Sequence, residues 1–283
     1  MTKVVAVTGA RGFIGREICH QLQSLGAVPI GIDRAPDQGS SAVEQPFEMI
    51  TAELGEPSAA LKVVGQCHSL IDLAWDSLDD YNSDRHYRYS LPLHYDFLSA
   101  ALGAGVSHIV GIGTCFEYGM RDGVLDESMT PDPTNSYAFA KHALHAQLKL
   151  LRQQESFELS WARPFYLFGP ASSRRSLYSL LAEAVERGDS EFKMSGGEQL
   201  RDYLPVAVAA RCIAKLSMLD EGVGAVNVCS GQPRSVRGIV EGWISENGWD
   251  IDLDLGYYPY PTHEPHAFWG NATKLQRVIG GEA

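Results

Sequence analysis

Residues 3–25 constrain this chain more than any other stretch. Lys3-Val4-Val5-Ala6-Val7 is a short, mostly apolar run of strand length. Thr8-Gly9-Ala10-Arg11-Gly12-Phe13-Ile14-Gly15 follows, and Ile18, Leu22 and Leu25 then recur at helical spacing. Three glycines at a strand-to-helix turn let the backbone approach a pyrophosphate, whose charge then faces the helix N-terminus. Because this triplet follows a strand and opens a helix, it predicts a dinucleotide site; a glycine-rich turn without a ligand is the plainer alternative. A second strand, Val28 to Ile32, ends in Asp33, eighteen residues after Gly15. A carboxylate there accepts hydrogen bonds from the adenosine ribose hydroxyls and repels a 2′-phosphate, which favours NAD over NADP. Arg11 and Arg34 argue the other way, unless they form a solvated basic pair.

The first half continues to alternate strand and helix. Phe47 to Thr51, Ser69 to Leu73 and His108 to Gly113 read as strands, with helices near Ala59–Val64 and Asp84–Leu102. A sixth strand, Glu158 to Ala162, follows a helix from Ser136 to about Glu155. Such alternation predicts an α/β protein, a Rossmann-type doubly wound parallel sheet with right-handed crossovers. Ligands in such sheets sit at the carboxyl ends of the strands. From about Phe165 the pattern changes. Helices are expected over Leu177–Arg187 and Val206–Leu219, a glycine turn at Gly196-Gly197, and a strand over Ala225–Val228. Ser235 is placed to cap a helix ending before Gly248. Residues 1–165 read as the NAD(P)-binding domain and 166–283 as a smaller α/β substrate lobe, with about 205–230 threaded back onto the main sheet.

Tyr137 and Lys141 stand four apart in the helix from Ser136, so they share one face, a turn apart. An ammonium held near a phenol favours the phenolate, and the tyrosine can then exchange a proton near neutral pH. Such pairs also arise on ordinary helix surfaces; the dinucleotide turn ahead of this one gives it chemical weight. The net charge of −12, without basic clusters, argues against nucleic acid and anionic membrane surfaces as partners. No apolar run approaches about 18 residues, and the first strand is too short for a signal-peptide core. Cys19, Cys67, Cys115, Cys212 and Cys229 show no paired spacing, which suits reduced thiols in a cytoplasm. His142 and His145 lie three apart, as do His263 and His266, but no third ligand accompanies either pair, so no metal is expected.

These motifs together resemble the extended short-chain dehydrogenase/reductases, the group of nucleotide-sugar epimerases, dehydratases and reductases. The resemblance runs from Val4 to about Ile239. It takes in the glycine turn, Asp33, Leu73-Ala74 and Thr114 five residues before Gly119. Tyr137 with Lys141, Arg163-Pro164 with Gly169-Pro170, Arg201-Asp202-Tyr203, and Asn227-Val228 near Ser230-Gly231 continue it. By this resemblance, Thr114 would bond the substrate oxygen, Tyr137 would be the general acid or base, and Lys141 would bond the nicotinamide ribose and depress the Tyr137 pKa. Gly9, Arg11, Gly12, Phe13, Ile14, Gly15, Asp33 and Arg34 would hold NAD, with NADP as the alternative. Glu53, Leu54, Leu73, Ala74 and Pro164 would complete that site, Glu53 standing where aspartate is commoner. Family members commonly dimerise through the Tyr137 helix and the helix containing Tyr81 to Tyr95, so a homodimer is expected.

Dehydratases of this group carry an acidic pair directly after the Thr114 position, because eliminating water needs its own acid and base. Cys115 and Phe116 stand there instead, which argues against dehydration. Cys115 is also one residue away from the epimerising cysteine of fucose-synthase-type enzymes and reads as a small buried residue. Glu117 reads as a loop carboxylate. The runs 113–120, 73–75 and 194–205 resemble a narrower subgroup, the dTDP-4-keto-6-deoxyhexose 4-reductases, such as those making dTDP-6-deoxy-L-talose or dTDP-D-fucose. An NAD(P)-dependent, reversible reduction at carbon 4 of a nucleotide-linked 6-deoxyhexose is thereby implied. A 4-epimerase with bound NAD is the alternative, and a non-catalytic cofactor-sensing protein a more distant one. Phe116 and Thr114 would contact the sugar, and Trp75 would wall its pocket or pack under a loop. Arg201 would bind the diphosphate, or else form an exposed ion pair with Asp202 or Glu198.

Overall fold

A strand with no polar face must be covered on both sides, and Val4–Thr8 accordingly lies at the centre of the sheet. In the computed structural model, which describes residues 2–35, 45–170, 176–260 and 264–280, seven strands form this sheet. They are β1 (Val4–Thr8), β2 (Val28–Asp33), β3 (Glu48–Thr51), β4 (Ser69–Asp72), β5 (His108–Ile112), β6 (Glu158–Pro164) and β7 (Gly224–Val228). Their order is β7-β6-β5-β4-β1-β2-β3, parallel throughout. The order reverses between β1 and β4, so the loops leaving those two strands diverge and open a crevice at their carboxyl ends.

The helices are α1 (Phe13–Ser24), α2 (Ser58–Val64), α3 (Leu91–Ala104), α4 (Ser136–Leu151), α5 (Leu177–Arg187), α6 (Val206–Ser217), α7 (Val236–Asn247) and α8 (Thr273–Ile279). One face of the sheet is covered by α1, α6 and α8 through Ile18, Leu22, Ile213, Leu216 and Leu275, all fully buried. The other is covered by α2, α3 and α4 through Val64, Phe97, Leu98, Leu144 and Leu148. Each such Leu or Ile contributes about 1.5–3 kcal/mol by leaving water. A separate core of Leu181, Phe192, Val240 and Trp243 unites α5, α7 and the parallel pair Glu191–Met194 with Asp252–Leu255. Ser235 Oγ caps α7, accepting from Gly238 N at 3.1 Å, as its sequence position predicted.

Two segments differ from expectation. The helix expected over 84–102 is split: His86–Ser90 is a π-helical turn, and α3 begins at Leu91. Pro92 has no N–H to give to the preceding turn, so a continuous α register is interrupted there. The tail, unassigned from its sequence, also returns to the main body. Phe268–Gly270 pairs with Gly123–Leu125, and α8 packs Leu275 into the core under α6.

Gly9 has φ +67, and a Cβ on it would press on the Ala74 backbone at 3.0 Å; a Cβ on Gly15 would overlap the Gly9 carbonyl oxygen. Gly15→Ala is therefore expected to destabilise the protein by about 1–3 kcal/mol. Urea unfolding checks this, and an unshifted midpoint would contradict the packing described.

Candidate active site

Most of the residues singled out by sequence lie at or just beyond the carboxyl ends of the sheet strands and on α4. Gly12 N donates to Gly9 O at 3.0 Å, closing the turn, and α1 starts at Phe13 with its first N–H groups facing outward from the turn. Asp33, closing β2, accepts from Arg11 N at 2.8 Å and from Arg34 N at 2.9 Å. The carboxylate is thus fixed beside the glycine turn with lone pairs to spare. Arg11 donates to Arg34 O at 2.9 Å, and the Arg34 guanidinium stands 3.7 Å from Asp76. Both arginines have partners other than a phosphate. Ala52 N donates to Asp33 O, bringing Glu53 and Leu54 alongside at the end of β3. Leu73 and Ala74 follow β4 against Gly9, and Pro164 ends β6. Gly9 and Gly15 pack the turn tightly onto Ala74 after β4 and onto itself, Gly12 meets only the Gly9 carbonyl oxygen, and Asp33 stands at the next strand end; this turn at the start of α1 fits a dinucleotide.

Tyr137 lies in the first turn of α4, which Asn135 caps by accepting from Ala138 N at 2.8 Å. Its own N–H donates to Tyr81 O at 2.9 Å, and Ser136 Oγ donates to Asn82 O at 3.0 Å, so the 81–82 loop is latched onto the helix start. Rings surround the phenol: Tyr81 stacks at 5.1 Å, His86 lies at 5.4 Å and Trp75 meets it edge-on at 6.2 Å. Lys141, one turn on, is 2% exposed with its ammonium 3.8 Å above the Trp75 ring. Trp75 thus contacts both residues of the pair.

Thr114 ends the loop after β5 and opens the short 3-10 turn Cys115–Tyr118, with its hydroxyl accepting from Phe116 N at 3.3 Å. What fixes this turn is Glu117, 0% exposed. Its Oε1 accepts from Thr114 N at 3.0 Å and Trp161 Nε1 at 2.9 Å; its Oε2 accepts from Arg163 Nε at 3.0 Å and Nη2 at 2.9 Å. His142 Nδ1 on α4 stands 3.8 Å away. Burial works to raise the Glu117 pKa, but His142, then Arg163, Trp161 and the Thr114 N–H, hold it below the usual carboxylate range. The reading of Glu117 as a loop carboxylate is thus corrected: it is the buried hub of the turn. A lone acid in the apolar run around 110–118 was the signal, since a charge there requires partners.

Phe116 stays near the pair through Tyr81, ring centroids 5.6 Å apart. Cys115 is buried, and its thiol is pushed well up by burial, then by Glu264 and Asp202, so it is a neutral core thiol. His145 stacks on Trp161 at 4.8 Å, and burial lowers its pKa to about 3. His263 lies outside the described residues, and among those described no cluster of metal-binding side chains occurs. Arg201 does not form the exposed ion pair given as its alternative reading. It is 3% exposed, donates to Glu264 at 2.9 Å and to the Leu200 and His266 carbonyls, and lies over the Phe268 ring. Neither Asp202 nor Glu198 pairs with it: Asp202 instead accepts from Ser230 N, Ser230 Oγ and Gly231 N, tying the smaller lobe to the end of β7.

Fold and site together define an extended short-chain dehydrogenase/reductase. The model of the NAD dependent epimerase/dehydratase family matches residues 5–229, and the chain belongs to that family. A dTDP-6-deoxy-L-talose 4-dehydrogenase (NAD(+)) from Aggregatibacter actinomycetemcomitans is 28% identical over 275 residues, covering 94% of this chain and 98% of the relative. GDP-6-deoxy-D-talose 4-dehydrogenase from the same organism is 23% identical, covering 98% and 92%. Among solved structures, UDP-glucose-4-epimerase from Stenotrophomonas maltophila, with bound NAD and formylated UDP-arabinopyranose, matches with a TM-score of 0.86 at 18% identity, covering 99% and 93%. That likeness concerns the fold. No helix among the described residues is long and apolar enough to cross a membrane.

Glu117→Gln leaves the buried Arg163 charge without its counter-ion and should cost about 3–5 kcal/mol in chemical unfolding. Because the folded-state pKa of Glu117 is depressed, its stabilisation is complete above the unfolded value of about 4.3 and is lost as pH falls through the folded one. Wild-type stability should therefore drop more steeply than that of the variant on acidification below that value; equal slopes would contradict the assignment.

Proposed function

We propose that this protein is an NAD-dependent 4-ketoreductase of a nucleotide-linked 6-deoxyhexose, with dTDP as the favoured nucleotide. One observation carries the choice of reaction: the places after Thr114 where elimination needs a carboxylic acid pair hold a buried neutral thiol and a phenyl ring. The 4-dehydrogenases among the relatives support the same reading. The glycine turn and Asp33 would hold the dinucleotide, and the repulsion of a 2′-phosphate by Asp33 favours NAD. When bound, the nicotinamide supplies the hydride at carbon 4.

The protein's own part is orientation and proton transfer. Thr114 Oγ accepts from Phe116 N, which leaves its own proton to donate to the carbon-4 oxygen. Tyr137 Oη gives that oxygen its proton as charge develops there, and the Lys141 ammonium favours the phenolate that remains. Phe116, Trp75 and Tyr81 exclude water from the reacting centre. Arg201 reaches a diphosphate by exchanging Glu264 for phosphate oxygens.

We also propose a homodimer. Tyr87, Tyr89, Phe139 and Leu150 expose 39–59% of their surfaces on neighbouring stretches of the π turn and α4. Phe139→Asp should convert a dimer to a monomer in light scattering coupled to gel filtration; an unchanged mass would exclude this face. Five buried thiols without a disulfide fit a reducing cytoplasm.

Incubation with dTDP-4-keto-6-deoxyhexoses should oxidise NADH stoichiometrically and faster than NADPH. Tyr137→Phe should lower kcat by about 10²–10⁴ with the fold intact by circular dichroism. Sugar isomerisation without net NADH oxidation would establish the epimerase instead, and full activity of the Tyr137 variant would remove Tyr137 from the mechanism.

A further inference from the structure

Trp75 lies beneath the Lys141 ammonium and is joined through His94 to Asp72, an arrangement that hydride and proton transfer alone do not require. Asp72 closes β4 at the strand reversal and is 1% exposed. Its Oδ1 accepts from Thr8 Oγ1 at 3.0 Å, and its Oδ2 meets His94 Nδ1 at 2.7 Å. Thr8 Oγ1 also accepts from Leu73 N at 2.9 Å and Ala74 N at 3.1 Å, fixing the backbone that leads into Trp75. The Trp75 indole packs on His94 with ring centroids 4.6 Å apart and donates through Nε1 to His86 Nδ1 at 3.0 Å. Since His86 accepts there, its proton lies on Nε2, which faces the Asp80 carbonyl oxygen at 2.9 Å. The indole is thereby held from both ends, beneath the Lys141 ammonium.

A buried ammonium is stable only where opposite charge or an aromatic face replaces water. Burial works to raise the Asp72 pKa, but His94, then Lys141 and Thr8, hold it below the usual carboxylate range, so its charge is present at neutral pH. The titratable groups facing this pocket are Asp72 from β4, His94 from α3, His86 from the π turn and Tyr137 from α4. Among these, Asp72 is an anion.

We propose that Asp72 and Trp75 are positioning residues that hold Lys141 charged and aimed at Tyr137, the carboxylate through its field and through His94, the indole through its face. The role rests on the reading of Tyr137 and Lys141 as the proton-transfer pair. Because Trp75 and His86 also flank the Tyr137 ring, one network orders both members of that pair.

The test is the titration of Lys141 itself, followed by NMR of the intact protein labelled with ¹³C-lysine, with its signal assigned by its loss in Lys141→Arg. Asp72→Asn keeps the shape and the acceptor for Thr8 while removing the charge. It should lower the Lys141 midpoint by about one pH unit or more, leaving the surface Lys149 unmoved. Trp75→Leu keeps the carboxylate and should lower the midpoint by a smaller amount. An unmoved Lys141 midpoint in either variant, once folded, overturns the proposal; should Asp72→Asn not fold, Trp75→Leu decides by the same criterion. This readout does not depend on turnover. Absence of sugar reduction by the wild-type protein would refute the assigned reaction and leave the positioning network standing or falling on the titration.

Discussion

A fully buried carboxylate is the constraint on which this structure turns. Glu117 takes hydrogen bonds from the Thr114 backbone, the Trp161 indole and two nitrogens of Arg163, and so joins the turn after β5 to β6. His142 brings α4 to the same point. A charge in that position is tolerated only with every partner in place, so the turn has one conformation and Thr114 one orientation. Arg163 extends the network by lying over Tyr118, whose hydroxyl donates to Asn227 on β7. A single ion pair therefore aligns three adjacent strand ends.

The other half of the site is built by the strand reversal. The chain leaves β1 and β4 toward opposite faces of the sheet, the arrangement that places a dinucleotide at these strand ends, and Thr8 and Asp72 bridge the two strands there. Helix α4 then presents Tyr137 and Lys141 toward those strand ends, in contact with Trp75. Catalysis of the proposed kind asks little else of the protein: rigid placement of a hydroxyl, a phenol and an ammonium, with water kept out. The smaller lobe adds Arg201, paired with Glu264, and is anchored by Asp202 to the loop after β7.

Much of this was readable in sequence because it depends on local periodicity. The strand-turn-helix at the amino terminus, the strand alternation and the four-residue step from Tyr137 to Lys141 are written within single elements. What was not readable depends on contacts between distant segments. Glu117 meets Arg163 across 46 positions and Arg201 meets Glu264 across 63, and neither partner could be named from spacing. The π turn at His86 escaped for a different reason. Its sequence reads as helix, and only the Pro92 interruption together with the hydrogen bond to Trp75 selects the wider register. The place of Trp75 beneath Lys141 follows from His86 and His94, which lie on other elements.

In the proposed function, Thr114, Tyr137 and Lys141 together perform a net reduction at carbon 4. The most direct measurement is the fate of the hydride itself. With NADH deuterated at its transferable position and a dTDP-4-keto-6-deoxyhexose, mass spectrometry and NMR of the sugar should find one deuterium per molecule, at carbon 4, matched by one oxidised cofactor. Recovery of an isomerised sugar without net cofactor oxidation would contradict the account.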